Sequence, residues 1–458
     1  MKTKTYKNFI LSVIFIPLFL SSCEKMVEVD LPANQIASQQ VYADVQTADA
    51  ALAGIYAGLY SNSLLSGDRM GLLLSLYTDD LDFFAPTATN GMMELYSNQL
   101  IPTNAVVYTQ WSGAYQLIYS CNAIIEGIER SASVSAADKA RIKAEAQLIR
   151  SILLYYLQQL FGDIPYPVTT DYKVNQSLPK LARAEVLQKL ETHLSESTTV
   201  LPDAYRNPER IFLNRKGAQL MLAKVFLEQK RWSEAEVLLK GIINAGSYSV
   251  QNDLSKTFKK SGTHILWQLK PANSGDATKE VVAYYFDFIP PYNYALSPDL
   301  MAAFSAGDLR KAAWTKPVTV GSNTWYRAYK YKNLTGNTDE YSIVFRIEEV
   351  YLLLAETLAR QDRTAEALLY LNPIRTRAGL APVTGPMTEA ALLDEIVRES
   401  RVEFFTEMGH RFFDLKRADR LNVLVTKKPN WKPHFTLWPV PEKELLLNPN
   451  LKPQNSGY

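Results

Sequence analysis

Asp79, Asp80 and Asp82 are the residues whose type and spacing come nearest to catalytic chemistry. Paired carboxylates serve as acid and base in glycosidic cleavage, and clustered carboxylate oxygens suit hard cations. A short acidic run is also ordinary turn or solvated sequence, and that is the preferred reading. Other chemistry has less to build on. There is no G-x-S-x-G, no Walker loop, no H-E-x-x-H and no C-x-x-C. The four histidines, His193, His264, His410 and His434, are scattered, which gives little support to a histidine metal site or a Cys–His nucleophile. Arg411, Asp414 and Arg417 at helical spacing point to structural ion pairs. The expectation is a protein that is not an enzyme, with no catalytic residue, no metal and no cofactor.

Aromatic side chains offer a different chemistry. Tyr284, Tyr285, Phe286, Phe288, Tyr292 and Tyr294 cluster, and Trp314, Trp325, Tyr326, Tyr329 and Tyr331 follow. Flat aromatic faces suit the apolar faces of sugar rings, with Asn, Asp and Arg bonding the hydroxyls. Six basic residues (Arg310, Lys311, Lys316, Arg327, Lys330, Lys332) lie in a stretch without Asp or Glu. That reads as a local positive patch, for an acidic ligand, a protein partner or solvent.

Composition bounds what can carry these residues. The chain has 458 residues, 47% hydrophobic and 21% charged, enough for a sizeable core. Lys plus Arg is 49 and Asp plus Glu is 47, so no overall nucleic-acid footprint exists. Two cysteines, Cys23 and Cys121, exclude a disulfide scaffold and a thiolate zinc cluster.

The first 22 residues read as a leader. Lys2, Lys4 and Lys7 precede an apolar run from Phe9 to Leu20. That run is shorter than the roughly 20 residues a transmembrane helix needs and fits a secretory signal. Leu20-Ser-Ser-Cys23 then resembles a bacterial lipobox, which predicts lipidation of Cys23 (palmitate among the acyl chains) and attachment to a membrane through that lipid. Removing three lysines takes the formal charge from +2 to −1. Cys121 remains as the only thiol, and its apolar helical setting predicts a buried, inert cysteine.

The body predicts paired helices. Ile142, Ala146, Ile149, Leu153, Tyr156 and Leu160 fall on one helical face, ended by Gly162 and Pro165. Strand signals are sparse, His264–Leu269 being the best. Residues 223–242 align without gaps on 355–374, matching Ala223 with Ala355, Arg231 with Arg363, and Ala235 with Ala367. In each, a helix ends at a polar turn and a second begins at Trp232 or Thr364, which resembles a tetratricopeptide hairpin. Residues 271–342 are rich in Tyr, Pro, Asn and Gly, lack a sustained period, and predict long inserted loops.

Several motifs together resemble the SusD/RagB family of Bacteroidetes surface lipoproteins. They are Phe345–Glu356, Ala367–Gly379, Ile396–Phe404, Gly409–Arg417, Leu437–Pro441 and Asn448–Asn455. In the N-terminal half the lipobox, Ala51–Tyr56, Trp111–Ile125 and Glu145–Pro165 fit as well. The resemblance implies an all-α, mainly helical fold of four tetratricopeptide-like hairpins with long loop insertions and minor β structure. It implies a SusC-like TonB-dependent transporter as partner, an outer-membrane, surface-facing location, and capture of a glycan without catalysis. The expected organisation is a leader at 1–22, an N-terminal helical region at 23–270, a loop-rich ligand region at 271–342 and a C-terminal helical region at 343–458. Loop placement and aromatic chemistry nominate Trp325, Tyr326, Tyr292, Tyr294, Tyr284 and Arg327 for the ligand site. By analogy with the family, Asn90 and Tyr96 border it, with Phe84. Alternatives are a peptide-uptake lipoprotein of the same family, a glycoside hydrolase using the aspartates, and a pure protein-interaction scaffold.

Overall fold

The structure is a computed structural model describing residues 41–87 and 89–458. The leader at 1–22 and the lipidation residue Cys23 lie outside the described residues. In chain order the helices are α1 Val45–Asn62, α2 Met70–Tyr77, α3 Met92–Tyr96, α4 Ala105–Arg130, α5 Ala136–Phe161 and α6 Tyr172–Asn175. Then come α7 Arg183–Val200, α8 Arg215–Glu228, α9 Trp232–Ile243, α10 Lys279–Tyr284, α11 Pro298–Ala303 and α12 Leu309–Trp314. The last are α13 Ile347–Ala359, α14 Thr364–Arg377, α15 Glu389–Phe404, α16 His410–Arg417 and α17 Glu442–Leu447. The strands are β1 Leu81–Phe83, β2 Ile265–Leu269, β3 Tyr294–Leu296, β4 Thr315–Val320, β5 Asn323–Ala328 and β6 Ser342–Arg346.

Four hairpins form the scaffold, α1/α4, α5/α7, α8/α9 and α13/α14, each stacked on the one before. Local chemistry starts and stops them. The Asn104 side chain accepts from Val106 N and Val107 N to open α4, and Ser135 accepts from Asp138 N to open α5. Gly162, at φ +76°, closes α5 in a backbone conformation few other residues adopt. The aligned segments are equivalent hairpins. Their turns use Lys230 and Asp362 at φ 60° and 59°, and their second helices begin at Trp232 and Thr364. Ala235 and Ala367 are fully buried where the paired helices meet. In both, the arginine at the turn reaches back to the preceding hairpin. Arg231 pairs with Glu191 on α7 at 2.7 Å, and Arg363 with Glu236 on α9 at 2.6 Å.

Helix α5 differs from the one-faced helix its spacing predicts. Every residue from Ala144 to Phe161 is buried, because α5 lies between α4, α7 and α8. Its buried polar side chains find partners inside, apart from the Arg150 Nε, which has none among the described residues. Glu145 accepts from Tyr56 Oη at 2.7 Å and Arg206 at 3.0 Å, and Arg150 donates to Asn122 at 2.6 Å. Cys121 is fully buried as expected, and burial pushes its thiol up to about 12.

Residues 271–342 are a correction. Instead of long loops they hold α10, α11, α12 and three strands of a four-stranded antiparallel sheet ordered β1-β3-β5-β4. Strands β4 and β5 form a hairpin in register from Thr315↔Ala328 to Val320↔Asn323, turned by Gly321-Ser322 with Gly321 at φ +61°. The expected strand at His264–Leu269 is β2, paired antiparallel with β6.

The chain ends as a strap across the first hairpins. Trp438 N donates to Leu160 O at 2.7 Å, Asn455 Nδ2 to Phe161 O at 2.8 Å, and Tyr77 Oη to Phe435 O at 3.0 Å. Phe161 meets Trp111 and Trp438 edge-on, with ring centroids 4.9 and 6.1 Å apart.

Candidate functional site

The charged residues that invite a catalytic reading are internal. Asp79 and Asp80 follow α2 and are buried. Arg411 holds both Asp79 oxygens, at 2.8 and 2.9 Å, and Arg401 donates to Asp80 at 2.8 Å. Burial alone raises Asp79, but the bonds and charge of Arg411 outweigh it and bring the carboxyl down to about 2. These aspartates are neither solvated nor open to a substrate. Arg411 thus reaches across to α2, while Asp414 and Arg417 pair locally at 2.8 Å as expected.

The positive patch is a second correction. Arg310 is fully buried and bonded to Asp308, Glu399 and Glu403 at 2.8, 2.6 and 3.0 Å. Lys330 is buried against Glu407 at 2.5 Å, and burial lowers its ammonium to about 8. Glu403 collects Arg310, Arg346 and Arg377. Burial raises Glu403, yet the three guanidinium charges hold it well below the usual carboxylate range. Acids distant in sequence neutralise most of the patch.

What remains outside is aromatic. The four-stranded sheet joins three chain segments, with Phe83 opposite Tyr294, Leu296 opposite Tyr326 and Val318 opposite Trp325. Side chains alternate across it. Trp325 lies on the face away from the main core, against Phe286, Ala295 and Val318. Arg327, two residues on, shares that face by strand alternation. Its guanidinium lies 4.4 Å from the Tyr285 ring centre and 5.3 Å from that of Tyr329. Asp287 sits 2.6 Å from Lys316 and 3.7 Å from Arg327, and the Lys316 bond holds its carboxyl below the usual range. The connection before β3 projects Phe288 and Tyr292, 86% and 79% exposed. Phe288 has φ +62°, an uncommon conformation for a bulky residue that costs on the order of 1–3 kcal/mol. The ring is turned into water although no core contact requires it.

The nominated residues therefore divide. Tyr292 projects from the loop, Trp325 is half-buried on the outer face, and Arg327 shares that face by parity but is buried beside the Tyr285 and Tyr329 rings, so it offers a ligand no free surface. Tyr294, Tyr326 and Tyr96 are half-buried and packed on the main core, Tyr294 stacking on Phe83 at 5.8 Å. Tyr96 donates to Asp82 at 3.2 Å and lies under Lys428 at 3.9 Å, and burial with the Asp82 charge pushes it up to about 12. Tyr284 is buried on α10 and contributes no surface. Asn90 is exposed and accepts from Met92 N at 3.2 Å. Tyr285, Phe288 and Asp287 complete the surface but were not nominated. The break from helix α10 at Tyr284, followed by Pro290-Pro291, is the signal that an exposed loop begins there. Among the described residues no group of three or more His, Cys, Asp or Glu is arranged to hold a metal ion.

Fold and site together define a tetratricopeptide-like helical protein that carries an exposed aromatic surface on a small sheet. Residues 305–458 match the model of the SusD family, and residues 32–227 match the SusD-like family described as starch-binding and associating with the outer membrane. The chain belongs to the SusD/RagB family. It is 23% identical to SusD-like protein P25 of Formosa agariphila, covering 98% of this chain and 99% of that one. Among solved structures, surface glycan-binding protein A of Bacteroides thetaiotaomicron superposes with a TM-score of 0.78 at 19% identity, covering 91% and 99%. A laminarin-binding SusD-like protein superposes at 0.77 with 21% identity, covering 91% and 100%.

Proposed function

We propose that this chain is a lipid-anchored outer-membrane protein that captures an oligosaccharide or polysaccharide and passes it to a TonB-dependent transporter. The observation that carries the reading is the exposed aromatic surface of Tyr285, Phe288 and Tyr292, with the half-buried Trp325 and the Asp287–Lys316 pair beside it. Aromatic faces stack on sugar rings, and the charged groups supply donors and acceptors at ring edges. The relatives whose names state a glycan ligand lend support. No described helix is long and apolar enough to cross a membrane, so a lipid on Cys23 is the proposed anchor. The protein acts by binding, since Asp79 and Asp80, the acids first in line for hydrolysis, are consumed by Arg401 and Arg411. In this reading 23–270 and 343–458 are scaffold, and 271–342 with the 84–96 segment presents the ligand.

The test is binding of the protein from residue 24 onward to neutral and acidic polysaccharides, with Trp325→Ala and Tyr292→Ala alongside. Selective binding weakened about tenfold in either variant supports the reading, since a stacked ring contributes roughly that much. Binding unaffected by both variants sinks the proposed surface. Gentle detergent extraction that yields only the lone lipoprotein, with no β-barrel, sinks the transporter partnership.

A further inference from the structure

A second concave surface lies away from the sheet. Trp111, Tyr115, Tyr119 and Asn122 fall on one stripe of α4 and form its floor. Pro165 and Pro167 form one wall, and Leu447 and Leu451 near the chain end form the other. Asn175, Gln176, Asn448 and Glu444 stand at the rim. The groove holds about 460 Å³, inside the roughly 300–1,000 Å³ range of small-molecule sites. None of the sheet strands contributes to it.

The groove is preorganised. Asn122 Nδ2 donates to Pro167 O at 3.1 Å and Thr169 O at 3.3 Å, fixing the proline wall to α4. Asn448 Nδ2 donates to Leu178 O and Asn450 Nδ2 to Ser177 O, both at 2.8 Å, fixing the far side. Tyr115 Oη donates to Pro165 O at 2.9 Å, so its ring is locked. Tyr119 is 53% exposed with its ring at the mouth. A ligand entering here orders little that is not already ordered, which favours binding.

The lining also selects by charge. Among the described residues that line the groove there is no Lys, Arg or His, and Glu444 is the one ionisable group besides the tyrosines. Burial raises its carboxyl, against the opposing pull of the Lys443 charge. A phosphate or a uronate finds no counter-charge. Side-chain amides both donate and accept, matching hydroxyls, and the Tyr, Trp and Pro surfaces match the C–H faces of a ring.

We propose that this groove is a separate binding site for a neutral carbohydrate of about one or two rings, which its volume admits. Its occupant stacks on Tyr119 and takes hydrogen bonds from Gln176 and its neighbours. The site stands independently of the sheet surface.

The protein from residue 24 onward is titrated with methyl glycosides and disaccharides of glucose, galactose, mannose and xylose, and with glucuronate-containing disaccharides, by saturation-transfer NMR. A neutral disaccharide is expected to bind and to weaken about tenfold in Tyr119→Ala. Gln176→Ala gives a smaller loss, Trp325→Ala keeps the binding, and the uronates do not compete. Tyr119 and Gln176 are surface side chains without hydrogen-bond partners among the described residues, and unchanged thermal unfolding checks that both variants fold. The assignment is overturned if no neutral sugar binds, if both groove variants bind as the parent does, or if Trp325→Ala alone abolishes all sugar binding. A proline-rich peptide that binds the groove when no sugar does also overturns it. Long-glycan binding unaffected by both Trp325→Ala and Tyr292→Ala would sink the sheet surface while leaving the groove standing.

Discussion

The seam around Glu403 and the loop around Phe288 invert the usual arrangement of a soluble protein. At the seam, Arg310, Arg346, Arg377, Glu399 and Glu403 are removed from water. At the loop, Phe288, Ile289 and Tyr292 are left in it. Burying charges costs several kcal/mol per ion unless partners surround them, and at the seam they do. Exposed aromatics carry no such compensation within the chain. Charge is therefore held inside at the seam by its partners, while apolar aromatic surface is left outside at the loop.

Glu403→Ala breaks the seam most severely. It strands three arginines and costs about 3–5 kcal/mol in chemical denaturation, whereas Tyr292→Ala changes stability by less than about 0.5 kcal/mol. Equal effects would erase the contrast. Next comes Glu280, buried on α10 where Ser342 donates to it at 2.8 Å, and pushed up to about 7 by burial first and the Asp68 charge after it. Its folded pKa lies above the ordinary 4.5, so its contribution is complete below pH 4.5 and lost as pH rises through 7. Stability falls by about 3 kcal/mol over that interval relative to Glu280→Gln, and parallel denaturation series at pH 4.5 and 8 check it. Phe288→Gly sharpens the other side. It relieves an unfavourable φ, so stability stays within about 1 kcal/mol while glycan binding falls; a variant that binds as before removes Phe288 from the surface. Arg363→Ala is the smallest. It loses the exposed bridges to Glu236 and Glu366, read as a barely detectable downward shift in denaturation midpoint.

The repeats were legible because two hairpins share a register, and Arg231 and Arg363 show that the shared residues do the same work. Polar residues on α5 concealed its burial, since Glu145 and Arg150 are paired by Arg206 from the loop after α7 and by Asn122 on α4. The ion-pair seam was hidden for the same reason. Arg310 and Lys330 meet Glu403 and Glu407 only after about 70–90 intervening residues fold back. The sheet could have been found, because Val318-Thr-Val-Gly-Ser-Asn-Thr-Trp325 alternates around a two-residue Gly-Ser turn. Within that sheet the choice between Trp325 and Tyr326 rests on strand parity, which fixes the faces only once the register is known. Tyr284 was misplaced because a six-residue helix turns it inward, a length too short to show a period.

The strap from Phe435 to Tyr458 has a consequence for the order of events in biosynthesis. A chain emerges N-terminus first, so α4 and α5 are made long before Trp438 exists. Until it arrives, Leu160 O, Phe161 O and the Phe161 ring face lack the partners that cover them. The hairpins made first thus reach their final packing only when residues 435–458 are delivered, and long-range closures of this kind slow folding. The newborn polypeptide stays open along its earlier-made hairpins until that strap has emerged.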